Sequence, residues 1–249
     1  MTAIHRRVAV TALLGLLAGR ALADANTDEF FRAIRQDNDA AVRSLLARGF
    51  NPNTKDEKGT PGLVVALQEG ALRVASLLID SPRLVPETRN AADESPLMMA
   101  ALKGHAELAR RLIARDADVN KPGWTPLHYA ATGGHLEIMR LLLEEHAFID
   151  AQSPNGTTPL MMAASYGTPE AVKLLIEAGA HISMRNQKGM SALDFAQRAE
   201  RQNSVELLLT AANQTGTRLH VVLTMRSDYF GNCAAYRGLA EAVSESQYL

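Results

Sequence analysis

Imidazoles, an indole and carboxylates at short spacing are the usual raw material of an active site. In this chain His128, His135 and Trp124 fall with four carboxylates inside PGWTPLHYAATGGHLEIMRLLLEEHAFID, residues 122–150. A hydrolase would use His128 or His135 as general base, and exchange of either for Asn or Gln would then abolish turnover in a folded protein. Metal chemistry is the second option, because His135 with Glu137 and His105 with Glu107 stand in an H-x-E order. Residues two apart on a helix point to different faces, and no H-E-x-x-H pair occurs anywhere in the sequence. Neither a G-x-S-x-G elbow nor a G-x-x-x-x-G-K-[ST] phosphate loop is present. Cys233 is the single cysteine, which excludes an internal disulfide and a multi-cysteine metal site. The sequence therefore assigns no catalytic, cofactor-binding or metal-binding residue, and the expectation is a protein without enzymatic activity.

The elements that carry these residues are set by a repeat. TPLHYAATGGHLEIMRLLLEEHAFIDA returns as TPLMMAASYGTPEAVKLLIEAGAHISM, as SPLMMAALKGHAELARRLIARDADVNK and, more loosely, as SALDFAQRAERQNSVELLLTAAN. Leu63, Leu97, Leu127, Leu160 and Leu193 give the register at steps of 34, 30, 33 and 33, and one step back lands on Phe30. Six units result between residues 27 and 213, the first and last degenerate. Ser95, Thr125, Thr158 and Ser191 stand where a helix N-cap is wanted, and Pro96, Pro126 and Pro159 follow where a missing N–H costs nothing. Alanines 66, 100, 130, 163 and 196 let neighbouring helices approach. Gly70, Gly104, Gly134 and Gly167 end the first helix of each unit, a place suited to left-handed backbone. Leucine pairs such as Leu141-Leu142 and Leu174-Leu175 glue second helices together, in a stack where no unit buries its own stripe. His128, three residues after Thr125, reaches back to its helix start as in a capping box. Its counterparts are read as Val64, Met99, Met162 and Asp194, which favours a scaffold role over a catalytic one.

This pattern resembles the ankyrin repeat over about three quarters of the chain, most closely in GWTPLHYAATGGHLEIMRLLL and in ADVN at Ala117–Asn120. The resemblance implies an all-α solenoid of helix-turn-helix units with short β-hairpin loops. It makes His105 and His135 part of a Gly-His turn that ties adjacent loops. Departures fall in the second unit, where SPRLVPETRNAADE replaces the usual hairpin, and at NKPGW, where the loop before Trp124 is three residues short. The family binds proteins through a concave groove lined by hairpin tips and the exposed side of the first helices. Carried over by register, that groove takes in Leu102, Lys103, Trp124, Thr132, Asn155, Thr157, Ser165, Tyr166, Lys188, Met190 and Arg198. The expected partner is a protein of unknown identity.

The chain's flanks differ from its centre. Residues 1–23 read as a secretory signal: His5, Arg6 and Arg7, then VAVTALLGLLAG, then Ala21-Leu22-Ala23 as a cleavage site. The product is expected to be secreted or periplasmic, to start at Asp24, and to have no membrane span once the signal is removed. Residues 24–213 form the repeat domain, and 214–249 a tail in which RLHVVLTMR reads as a strand and GLAEAVSESQYL as a helix. Val221–Arg226, Asp228, Phe230, Cys233 and Gly238–Leu249 resemble a fragment of a STAND-class signalling NTPase, without that class's phosphate loop. That resemblance supports a rival function, the sensor part of a STAND-type NTPase. The tail alone is expected to be inactive. With 26 Lys and Arg against 27 Asp and Glu, no phosphate-reading surface is indicated and nucleic acid is not an expected partner. A monomer is expected, with Cys233 offering a disulfide route to a dimer.

Overall fold

The structure, a computed structural model, describes residues 25–215. The expected signal and nearly all of the expected tail, Cys233 included, lie outside that range. Among the described residues the regular elements are helices, and the chain divides into two compact units between Val119 and Asn120.

In the first unit, α1 (residues 25–35) and α2 (Asp39–Ala47) form one helix pair, followed by α3 (Gly62–Glu69) with α4 (Leu72–Asp80) and α5 (Pro96–Lys103) with α6 (Ala106–Ile113). In the second, α7 (Pro126–Gly133) pairs with α8 (Leu136–Glu144), α9 (Pro159–Tyr166) with α10 (Pro169–Glu177), and α11 (Ala192–Arg198) with α12 (Gln202–Thr215). Within each unit the first helices pack on one another and so do the second helices, as in α7–α9–α11 and α8–α10–α12.

The leucine register is the core. Phe30, Leu63, Leu97, Leu127, Leu160 and Leu193 are buried on the first helices. Leu45, Leu78, Leu112, Leu142, Leu175 and Leu208 are buried on the second. The five expected alanines are buried as well. At the first pair the aromatic rings of Phe30 and Phe50 fill the end of the core at 4.9 Å, and Gly62 is required because a Cβ there would meet the Phe30 ring at 2.5 Å.

Helix starts follow the capping pattern. Ser95, Thr158 and Ser191 accept from the backbone N–H three residues on, at 3.3, 3.4 and 3.4 Å. The residue that reaches back is Met98, His128, Met161 or Asp194. In two units that is one residue earlier than the sequence comparison placed it, since Met99 and Met162 lie at the next position along. Gly70, Gly104 and Gly134 are left-handed, with φ of 74°, 79° and 68°. Gly167 is not, which corrects the expectation for that unit: its φ is −77° and ψ −154°. The cause is local, because Thr168 caps α10 and precedes Pro169, so residue 168 must be extended.

The β-hairpins reduce, among the described residues, to one isolated antiparallel bridge between Lys55 and Pro61. A five-residue turn does the work of the hairpin at Asp56–Thr60, Asn90–Glu94, Ser153–Thr157 and Asn186–Met190. The first residue's N–H donates to the carbonyl of the fifth at 2.9–3.1 Å. The side chains of Asp56, Asn90 and Asn186 also accept from the N–H groups two and four residues on. The unusual stretch in the second unit thus ends in the ordinary turn. Its extra length is pinned by Arg115, which donates to the carbonyls of Ile79, Ser81 and Leu84, and by Arg89, paired with Glu87 at 3.0 Å and Asp118 at 3.1 Å. Burial raises the Glu87 carboxyl above its usual range, with the Asp118 N–H and Arg89 opposing. Before Trp124 the shortened loop only bends, through Gly123 at φ +82°.

Candidate protein-binding face

His128 tests whether the central cluster is chemistry or scaffold. Its side chain is wholly buried at 0% exposure. Nδ1 accepts from the Thr125 N–H at 3.2 Å, and Nε2 lies 2.9 Å from the Thr157 carbonyl, so the neutral ring carries its proton on Nε2 and donates it there. Burial pushes its pKa down to about 4, opposed in part by the hydrogen bonds to the backbone of Thr157 and Ala151. Both nitrogens are engaged and no surface is open to a substrate. The imidazole instead joins the start of α7 to the turn before α9, which is a scaffold role. Trp124 packs its ring edge-on to the same imidazole at 5.1 Å and 75°. His105 and His135 cap α6 and α8 through their backbone carbonyls, which accept from Ala109 and Met139. Their own N–H groups return to Ala100 and Ala130 and so tie each helix pair together. Among the described residues no group of three His, Cys, Asp or Glu side chains could hold a metal ion.

What lies open is the first-helix side. In the second unit Tyr166 is 60% exposed at the end of α9, Arg198 is exposed at the end of α11, and Asn155 and Lys188 are exposed on the turns preceding those helices. The two turns are joined, since the Gln187 N–H donates to the Asn155 carbonyl at 3.0 Å and its side-chain amide donates to Pro154 at 2.9 Å. Arg201, absent from the sequence-based set, donates to the Tyr166 carbonyl at 3.4 Å. Trp124, Thr132, Ser165 and Met190 are half-buried, and the Thr132 hydroxyl donates to the His128 carbonyl at 2.7 Å. Thr157 does not belong to an open face, because it is 2% exposed and its backbone is committed to Ser153 and His128. In the first unit Leu102 is half-buried and Lys103 exposed at the end of α5.

Phe148 is the side chain that register reasoning passed over. It is 67% exposed in the loop after α8, where the neighbouring repeats place Asp118 and His181. An aromatic ring at a position otherwise polar was a legible signal. A shallow groove of about 580 Å³ also runs between α10 and α12, lined by Lys173, Ile176, Glu177, Glu206 and Leu207 among others.

Comparison with known proteins settles the family. The profile described as ankyrin repeats (3 copies) matches residues 30–121, 82–153 and 146–218. The chain belongs to the ankyrin-repeat family. A second profile, Novel STAND NTPase 1, matches residues 190–249, so its match begins on the last helix pair and not only in the tail. Curated relatives of this ankyrin-repeat chain include a putative ankyrin repeat-containing protein of Treponema pallidum (strain Nichols), 33% identical over 39% of this chain and 32% of its own. Human neurogenic locus notch homolog protein 4 is 36% identical over 34% of this chain and 4% of its own. The chain therefore spans a third or less of these relatives' lengths. Among solved structures it is similar to a chain in the complex of the Bd0816 predatory endopeptidase from Bdellovibrio bacteriovorus with immunity protein Bd3460. The TM-score is 0.63 and the identity 28%, covering 73% of this chain and 97% of that one. Ankyrin repeats are protein–protein interaction modules, and the fold and family of this chain place it among them. No helix of the described residues is long and apolar enough to cross a membrane.

Proposed function

We propose that this chain is an exported, non-enzymatic binding module that grips a partner protein with the first-helix side of its repeats, the groove of the ankyrin family. One observation carries the reading. The buried His128 and the half-buried Trp124 that packs on it are consumed by the scaffold, while Tyr166, Lys188 and Arg198 stand exposed on one side of α9 and α11. Residues on such a face are not dictated by stacking, so their types are free to serve recognition. The likeness to a chain from a peptidase–immunity protein complex supports a partner that is itself an enzyme. Export rests on the basic-apolar-AxA order of residues 1–23, and the chain works as a monomer after cleavage. Amino-terminal sequencing of the protein from the extracytoplasmic fraction tests this, and a mature chain retaining Met1 in the cytoplasm would end that part of the proposal.

The groove assignment is tested by a photoreactive residue placed at Tyr166 or Asn155 in living cells, with Glu170 on α10 as control. Capture of one protein from the first two positions and not the third is the expected result. Capture from Glu170 alone would sink it. The match to Novel STAND NTPase 1 favours a second reading, the regulatory part of a STAND-type signalling NTPase. That reading requires nucleotide to act on the assembly containing this chain, and a thermal shift of this chain with Mg-ATP would support it.

A further inference from the structure

The second unit separates its charges by side. On its second helices and their ends, Glu137, Glu144, Glu145, Glu170, Glu177 and Glu206 are all exposed, against Arg140 and Lys173 and, at the start of α12, Arg201, whose side chain turns back to the end of α9. Lys173 is spoken for by Glu177 at 3.7 Å. On the first-helix side the balance reverses. Arg185 is held by the Gly189 carbonyl at 2.6 Å and by Asp194 at 3.5 Å, which itself caps α11. That leaves Lys188, Arg198 and Arg201 exposed, with Glu200 as the single opposing carboxylate. Lys188 precedes α11 and Arg198 ends it, so about 10 Å of helix separates them. Arg201 then touches the Tyr166 backbone, which brings the exposed phenol to the same end.

We propose that this strip of Lys188, Arg198 and Arg201 beside Tyr166 receives an acidic segment of the partner polypeptide. The inference rests on the docking reading above and specifies its chemistry. A row of three cations with Glu200 as the one exposed carboxylate beside them raises the concentration of an acidic chain near that side. The tyrosine supplies a rigid ring that buries area at small entropic cost, and arginines favour bidentate contact with carboxylates. Three cations backed by an acidic face are too few for a nucleic-acid surface, which neutralises a run of phosphates.

The experiment uses the full chain as bait for random peptides displayed on phage, with selected peptides then synthesised and titrated. Enriched peptides are expected to be rich in Asp and Glu, and their affinity to fall with added salt. Binding should weaken about tenfold or more in the triple variant K188E/R198E/R201E while E137K/E170K leaves it unchanged. All three reversed residues are exposed, so the helical spectrum is expected to stay the same and the melting temperature to fall by only a few degrees, about what one exposed hydrogen bond and one helix-end charge contribute. Peptides without acidic bias that are lost on Tyr166→Ala but ignore the triple reversal would overturn the acidic preference and leave the docking face standing. Enrichment that maps to the second-helix side, or that is equal on wild type and triple variant, would remove both. Tight, salt-sensitive binding of duplex DNA at the strip would overturn the assignment in favour of nucleic acid.

Discussion

A pH titration of stability distinguishes His128 as scaffold from His128 as chemistry. The ring is buried, with a folded pKa of about 4 against an unfolded value near 6.5. A lowered histidine pKa means that the unfolded state binds the proton more readily, so stability is complete above pH 6.5 and declines as pH falls toward 4. Between pH 8 and pH 5 the linkage relation gives a loss of about 2 kcal/mol from this one group. The comparison variant is His128→Met, since Met98 and Met161 fill the same position in two other units. At pH 8 it forfeits the bond to the Thr157 carbonyl, which keeps its bond from the Ser153 N–H, a cost of about 0.5–1.5 kcal/mol. It has nothing to titrate there, so the gap between the two should close as pH falls, with the curves crossing at about pH 6 and the variant the more stable at pH 5. Urea unfolding followed by circular dichroism at several pH values between 8 and 5 reads both curves. The other histidines are common to both proteins and drop out of the difference. Parallel curves would refute the argument, because they would mean that His128 protonates in the folded protein at its ordinary pKa.

Further outcomes follow from the packing. Leu175→Ala, at a fully buried second-helix position, should cost about 2–5 kcal/mol in chemical denaturation, and a value under 1 would show that the α8–α10–α12 seam is not the core. Gly167→Ala places a Cβ 2.4 Å from the Ala131 carbonyl and 2.9 Å from that of Ala163, both rigid helix backbone, and should cost about 1–3 kcal/mol despite an unexceptional φ. The same exchange at Gly70, where nothing lies within 4 Å and φ is +74°, should cost only about 1 kcal/mol by backbone strain, so the pair separates crowding from conformation. Asn186→Ala removes the acceptor for the Lys188 and Met190 N–H groups, and amide exchange at residues 187–190 should speed up while α11 stays protected.

The repeat was legible because stacking imposes the same demand on each unit. A buried leucine at the register position of each first helix from α3 on, another on each second helix and an alanine at the contact recur at the same steps, so Leu63 to Leu193 give the register from sequence alone. The helix starts were legible for the same reason. Failures came where one residue served its immediate neighbour and not the repeat. Gly167 occupies the position of Gly134 but obeys the Thr168-Pro169 pair after it. Thr157 sits at a hairpin tip by register, yet the absence of a ladder there draws it inward under His128. Arg201 could not be found by register, because it lies in the degenerate last unit, and only its contact with Tyr166 shows which side it serves.

The last helix explains how two family patterns share residues 190–215. The five second helices before α12 span eight or nine residues, whereas α12 spans fourteen, Gln202–Thr215. Its Leu208 fills the leucine register of the stack, and Val205, Ala211 and Ala212 are buried around it. The Novel STAND NTPase 1 profile begins on α11 and runs through α12 to the end of the chain, so the same helix satisfies both. Among the described residues α12 packs on α10 and α11, which asks of it an apolar stripe toward those neighbours. That is a weak demand, met by any amphipathic helix with a leucine at the right step. By contrast α10 packs on both α8 and α12 and carries a second-helix interface on each flank. The overlap at α12 is thus compatible with its one second-helix neighbour among the described residues, and it would be harder to sustain at α10, which has two.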